Sequence, residues 1–247
     1  REGISPNAVT YTSILKACGS IGDIDKGKEI HREVTSKRLI EKDILLATAL
    51  IDMYVKCGML TKAQQTLESL PIRDIVSWNA LIVGYAQQGQ ANEALNCLEQ
   101  MQNEGLSPDK VTFVSVLSAC SHSGLIDDAM KLLVSASFDH HHRTLGLVIE
   151  HFHCVIDLFG RVGLLNEAQN LLYQMPFRPT SLSFMILLGA CRTQHDVGRG
   201  EEIACHMFEL DPETPSACVM LSNIYYAAGM GVGGDELHSE GEKNCYA

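Results

Sequence analysis

Two clusters of side chains in this sequence could in principle bind a metal or activate water. His238-Ser239-Glu240 has the His-x-Glu spacing of zinc deaminases, in which the His ligates the metal and the Glu shuttles protons. Such a site is completed by a later Cys-x-x-Cys, and only Cys245 follows, so the zinc would lack ligands. His31-Arg32-Glu33 meets the same three-letter pattern inside a helical segment and reads as coincidence. The second cluster is His140-His141-His142, with His151 and His153 close behind. Adjacent residues on a helix point in different directions, so this group reads as a solvated loop rather than a ligand set. No nucleophile elbow or phosphate-binding glycine loop occurs, and Gly231-Val232-Gly233-Gly234 precedes no helical pattern. The residues therefore predict no enzyme, no catalytic or metal residues and no cofactor.

The elements that carry the remaining residues are helices. Ala80, Leu81, Ile82 and Tyr85 recur at helical spacing, as do Ala94, Leu95, Leu98 and Met101, so Val76 to Asp109 reads as two amphipathic helices back to back. Gly89 stands where the first must stop in a left-handed residue, and Gly105 and Pro108 end the second. Each helix is shorter than the roughly 12 to 15 residues at which an isolated helix becomes stable in water, so the hairpin must stack on neighbours. The same grammar of helix end, turn and helix start returns at residues 15–30, 54–70, 117–133, 158–175 and 188–204. Cys18 and Cys120 occupy equivalent positions 102 residues apart, and the units between them measure 36, 31 and 35 residues. This repetition predicts an all-α fold, a right-handed α-solenoid of stacked helix-turn-helix repeats.

Composition agrees. A 46% hydrophobic content suffices for a continuous core, and no apolar run reaches 18 residues, so no membrane span is expected. The nine cysteines recur with the repeat and contain no Cys-x-x-Cys, which predicts buried free thiols in a reducing compartment. Of the net charge of −11, residues 201–247 carry −8, from nine acids against Lys243. The small remainder does not describe a general polyanion-binding surface.

Two repeat families have periods of this length, and the Trp, Leu-Gly and Tyr spacing of the tetratricopeptide pattern is missing. DIVSWNALIVGYAQQGQANEALNCLEQMQNEGLSPD resembles the P motif of the pentatricopeptide repeat family, in its plant PLS subclass. VTYTSILKACGSIGDIDKGKEIHREV resembles the L motif, and ATALIDMYVKCGMLTKAQQTLESLPIRD the short S motif. The resemblance implies the tail of a preceding repeat at 1–7, an L-type repeat at 8–43, S-type at 44–74 and P-type at 75–109. It continues with an L-type repeat at 110–148, degenerate between Ser135 and Val148, then S-type at 149–180, a first E motif at 181–214 and a partial second at 215–230. Residues 231–247 are expected to be a disordered tail, and any targeting peptide to lie upstream.

What the resemblance implies is single-stranded RNA binding in a mitochondrion or chloroplast, one base per repeat, with no DNA and no membrane partner. In the family the fifth and last residues of a motif read the base. Here they are Asn79 with Asp109, a uracil pair, Thr48 with Asp74, a guanine pair, and Thr12 with Asp43 in a less legible L motif. Val114, and His153 with Thr180, match no assignment. Val9, Leu45, Val76 and Val111 hold the second position, apolar in the family so that bases are sandwiched between repeats. E motifs imply C-to-U editing with a deaminase recruited in trans. The alternative is a protein-binding scaffold whose reading positions are vestigial.

Overall fold

A capping side chain marks where most of the repeats begin. Asn7, Asp43, Asp74 and Thr180 stand in extended backbone, and each accepts a hydrogen bond from an N–H of the first turn that no helical carbonyl reaches. The computed structural model describes residues 6–138, 148–210 and 215–230, and these are helical throughout apart from turns and connections. Six hairpins follow one another: α1 (Ala8–Ile21) with α2 (Ile24–Ser36), α3 (Ile44–Lys56) with α4 (Leu60–Glu68), α5 (Ile75–Gln87) with α6 (Ala91–Asn103), α7 (Lys110–Ser123) with α8 (Ile126–Phe138), α9 (Ile149–Arg161) with α10 (Leu165–Gln174), and α11 (Ser181–Gln194) with α12 (Val197–Leu210). The single helix α13 (Pro215–Ala227) comes last among the described residues. Gly89 and Gly105, at φ 69° and 79°, adopt the left-handed conformation that ends α5 and α6.

The chain forms two packing units, the first ending at Ala119 and the second beginning at Cys120, so the division falls within α7. In the first unit α1 packs on α3 and α3 on α5, while α2 and α4 each pack against the first helix that follows. In the second, α9 packs on α11 and α11 on α13, with α8, α10 and α12 related to them in the same way. The architecture is all-α, a solenoid-like stack of helix-turn-helix repeats.

Sequence period explains which faces are buried. On α6 the buried residues are Ala91, Ala94, Cys97, Leu98 and Met101, one stripe of a helix whose other face meets water. On α3, packed between α1 and α5, burial extends nearly all round, through Leu46, Ala47, Ala49, Leu50, Ile51, Met53, Tyr54 and Val55. Polar ties hold successive hairpins in register. Tyr54 Oη lies 2.7 Å from His31 Nδ1, and Tyr85 Oη donates to Gln64 Oε1 at 2.6 Å, so α3 and α5 each reach back to the preceding second helix. At the foot of α5, Arg73 forks onto Glu104 at 2.6 and 3.1 Å, and Trp78 Nε1 donates to the same carboxylate at 3.1 Å.

Seven of the described cysteines are free, and four of these, Cys18, Cys97, Cys120 and Cys191, are buried. The expectation of free thiols fails at Cys205, which is disulfide-bonded. Ile203, Ala204 and Met207 take the buried face of α12 and leave Cys205 half-buried, as Cys57, Cys154 and Cys218 also are.

Candidate nucleic-acid interface

In the first unit, each first helix shows the same arrangement in its opening turn. The second residues of α1, α3, α5 and α7 are Val9, Leu45, Val76 and Val111, which are apolar yet 72, 72, 59 and 45% exposed. A lone exposed valine means little, but four at one register of consecutive repeats form a ladder of apolar contacts open to solvent.

Next to this ladder stand the carboxylates that end each repeat, and their position has a local cause. Asp43, Asp74 and Asp109 immediately precede α3, α5 and α7, where an anion satisfies first-turn N–H groups and the positive end of the helix dipole. Asp43 Oδ1 accepts from Leu45 N and Leu46 N at 3.0 and 3.1 Å, and Asp74 Oδ1 from Ser77 N at 2.8 Å. Asp109 Oδ1 accepts from Thr112 N at 2.9 Å, and also from Asn79 Nδ2 at 3.0 Å. Of the three expected reading pairs, the structure hydrogen-bonds only Asn79 with Asp109. Among the described residues no hydrogen bond joins Thr48 to Asp74 or Thr12 to Asp43, and both threonines are half-buried.

Thr112 completes the Asn79 site, and the sequence reading missed it. Its hydroxyl donates to Asn79 Oδ1 at 2.6 Å and accepts from the Asp109 N–H at 3.1 Å. Asn79 is 8% exposed and Thr112 is fully buried, so the amide does not project freely as a side chain at a groove is expected to. An unpaired amide at that depth costs roughly 1 to 3 kcal/mol, and the two partners remove the penalty. One N–H of the amide, a lone pair on Oδ1 and the second oxygen of Asp109 remain for a ligand. Burial pushes the Asp109 carboxyl up. The hydrogen bonds from Thr112, Asn79 and the Val111 backbone outweigh it and hold the group below the usual carboxylate range. The signal for Thr112 was available as Asp109-Lys110-Val111-Thr112, a capping pattern that Asp74-Ile75-Val76-Ser77 and Thr180-Ser181-Leu182-Ser183 repeat.

The second unit contains a similar group with different chemistry. His153, the fifth residue of α9, places Nε2 2.8 Å from Ser183 Oγ. The same oxygen accepts from Thr180 N at 3.0 Å and lies 3.1 Å from Thr180 Oγ1. Burial lowers the His153 pKa against the opposing charge of Glu150, so the imidazole is neutral at neutral pH.

Other candidate chemistry is absorbed by packing. Glu33 of the His31-Arg32-Glu33 sequence accepts from Tyr11 Oη at 2.6 Å and from Lys37 Nζ at 2.7 Å, while His31 meets Tyr54. Burial pushes the thiols of Cys97, Cys154 and Cys191 up to about 12 and that of Cys120 to about 11, far from thiolate. Among the described residues no group of three or more His, Cys, Asp or Glu could hold a metal ion, and no helix is long and apolar enough to cross a membrane. His140-His141-His142, His238-Ser239-Glu240 and Cys245 lie outside the described residues.

Comparison with known proteins follows the repeats. A PPR repeat family model matches residues 73–122, and a PPR repeat model matches 9–39, 47–75, 111–135 and 150–178. A putative pentatricopeptide repeat-containing protein of Arabidopsis thaliana is 41% identical over 228 residues, 92% of this chain and 33% of the relative. Another from Arabidopsis thaliana, named as mitochondrial, is 37% identical over 93% of this chain and 49% of its own length. A third, named as chloroplastic, is 39% identical over 93% of this chain and 31% of its own. The chain thus spans 31 to 49% of the length of these relatives. In fold it matches a crystal structure of the pentatricopeptide repeat protein PPR10 in complex with an 18-nt psaJ RNA element, at TM-score 0.73 and 20% identity over 98% of this chain and 36% of that one.

Proposed function

This chain belongs to the pentatricopeptide repeat family, and from that premise we propose that it is a sequence-guided adaptor for single-stranded organellar RNA, without catalytic chemistry of its own. The observation that carries the reading is the pairing of Asn79 with Asp109 at 3.0 Å beside an exposed apolar ladder. A base can slot between consecutive apolar residues of the ladder while its Watson–Crick edge meets an amide that offers one donor and one acceptor. Uracil presents an N–H flanked by carbonyl oxygens, which is complementary to that pair. The structure reported with PPR10 holds RNA, and relatives named as mitochondrial and as chloroplastic support an organellar location.

The finer reading is a PLS-subclass protein with E motifs at 181–230, whose surface recruits a deaminase in trans for C-to-U editing. It rests on the resemblance of the motifs. The net charge of −11 favours the alternative, a protein-binding scaffold.

Selection of single-stranded RNA from a random pool at stated low salt separates the two. The RNA reading expects G then U enriched at adjacent positions, with the U preference lost in Asn79→Ala, a loss of roughly 1 to 3 kcal/mol at that base. A pool without enrichment leaves the scaffold as the better account.

A further inference from the structure

Eight polar side chains are buried among the described residues: Thr66, Ser77, Asn79, Thr112, Ser121, His151, His153 and Ser183. Six of them fall at two registers of the first helices. Asn79 and His153 are fifth residues of α5 and α9, and Ser77, Thr112, His151 and Ser183 are third residues of α5, α7, α9 and α11. Burial of polar groups is costly unless they are bonded, so two registers of buried polar side chains point to a built arrangement. Where both registers are polar and buried in consecutive repeats, they meet. Thr112 donates to Asn79 at 2.6 Å, and Ser183 lies 2.8 Å from His153, in separate packing units.

Which way the Asn79 amide faces then follows from chemistry. Ionised Asp109 only accepts, so the NH2 turns toward it, and the Thr112 hydroxyl, which accepts from the Asp109 N–H and has Asp109 Oδ1 at 3.0 Å and Asn79 Oδ1 at 2.6 Å before it, gives its one proton to the nearer, Asn79. The amide is gripped from both ends. Its remaining donor and acceptor are presented in one order, which is the order a base edge must match. Elsewhere in the first unit the grip is missing. Ser77 donates to the Asp74 carbonyl oxygen at 2.8 Å and makes no hydrogen bond to Thr48, and the third residue of α3 is Leu46, which has no hydroxyl to offer Thr12.

We propose that Thr112 is the positioning residue for Asn79, and that the third residue of each first helix sets how strictly the preceding repeat discriminates bases. This rests on the reading of Asn79 as a base contact. It predicts a stricter subsite at Asn79 than at Thr48 or Thr12, so that the U preference exceeds the G preference in the selected pool.

The test measures binding of this chain, of Thr112→Val and of Thr112→Ser, to four single-stranded RNAs that differ only at the nucleotide facing Asn79. Side-chain amide exchange of Asn79 is followed by NMR in the same proteins. Thr112→Val is expected to reduce the preference for U over C by about threefold to tenfold and to speed amide exchange, with Thr112→Ser restoring both. Thermal unfolding of each variant confirms that the comparison is between folded chains. If the wild type prefers U and Thr112→Val keeps that preference with the amide still protected, positioning by Thr112 is overturned alone. If the wild type shows no preference at that nucleotide, base reading by Asn79 falls and this proposal falls with it.

Discussion

A carboxylate that caps a helix is ordinarily saturated by that helix, yet Asp109 also takes the Asn79 amide on the oxygen that caps α7. Its acidity carries a signature of this double duty. The carboxyl sits below its unfolded value, so its contribution to stability is complete above the unfolded pKa of about 3.9 and is lost as pH falls through the lower folded value. Asp109→Asn is therefore expected to narrow its stability gap to wild type as pH drops below about 4, while the gap stays constant between pH 6 and 8. Denaturant titrations over that range measure the gap, and a gap unchanged at low pH would mean that the carboxylate charge is idle. At this scale the pair was legible from the resemblance of the motifs, whereas for Thr112 only the capping pattern was, because a threonine three residues after an aspartate looks the same whether it serves only its own helix or a neighbour as well.

Between elements, packing depends on a few places where two helices come closer than side chains normally permit. Gly160 of α9 faces Ala190 of α11, and a Cβ added there would lie 2.4 Å from the Ala190 Cβ. Both atoms are fixed to helical backbone, so neither can swing away. Gly160→Ala gains about 1 kcal/mol of helix propensity but incurs roughly 1 to 3 kcal/mol of overpacking, and the rigidity of the contact places it toward the upper end. The expected result is a net loss of stability in the second unit, recovered in the double variant Gly160→Ala with Ala190→Gly. Thermal unfolding tests this, and a Gly160→Ala protein as stable as wild type would show that α9 and α11 have room to part. Helix starts and stops were legible because caps and left-handed glycines act within one turn. The α9 to α11 approach was not, since Gly160 in isolation reads as a poor helix former.

For the molecule as a whole, charge limits how it can hold a polyanion. The first helices that begin the repeats of the first unit carry only Lys16, Lys56 and Lys110, and Lys56 is already paired with Asp52 at 2.7 Å. With at most three phosphates neutralised there, log K should fall with log salt at a slope no steeper than about −2 for a single strand. Affinity measured between low and physiological salt checks this, and a much steeper slope would place the RNA on other cations. Binding of such shallow salt dependence is dominated by stacking and base edges, which is what an apolar ladder beside an amide provides.

The helices and their period are legible in the amino-acid sequence alone, because 3.6-residue periodicity, capping aspartates and chain-reversing glycines are short-range and survive without tertiary context. Tertiary structure decided which of the aligned polar residues meet. Asn79, Asp109 and Thr112 converge, while Thr48 with Asp74 and Thr12 with Asp43 stay unbonded, although all three pairs occupy equivalent sequence positions. The difference begins with what the fifth residue offers, since the Asn79 amide donates to Asp109 and accepts from Thr112, whereas Thr48 and Thr12 carry only a short hydroxyl. The two contacts span 30 and 33 residues of chain, beyond the reach of any local pattern.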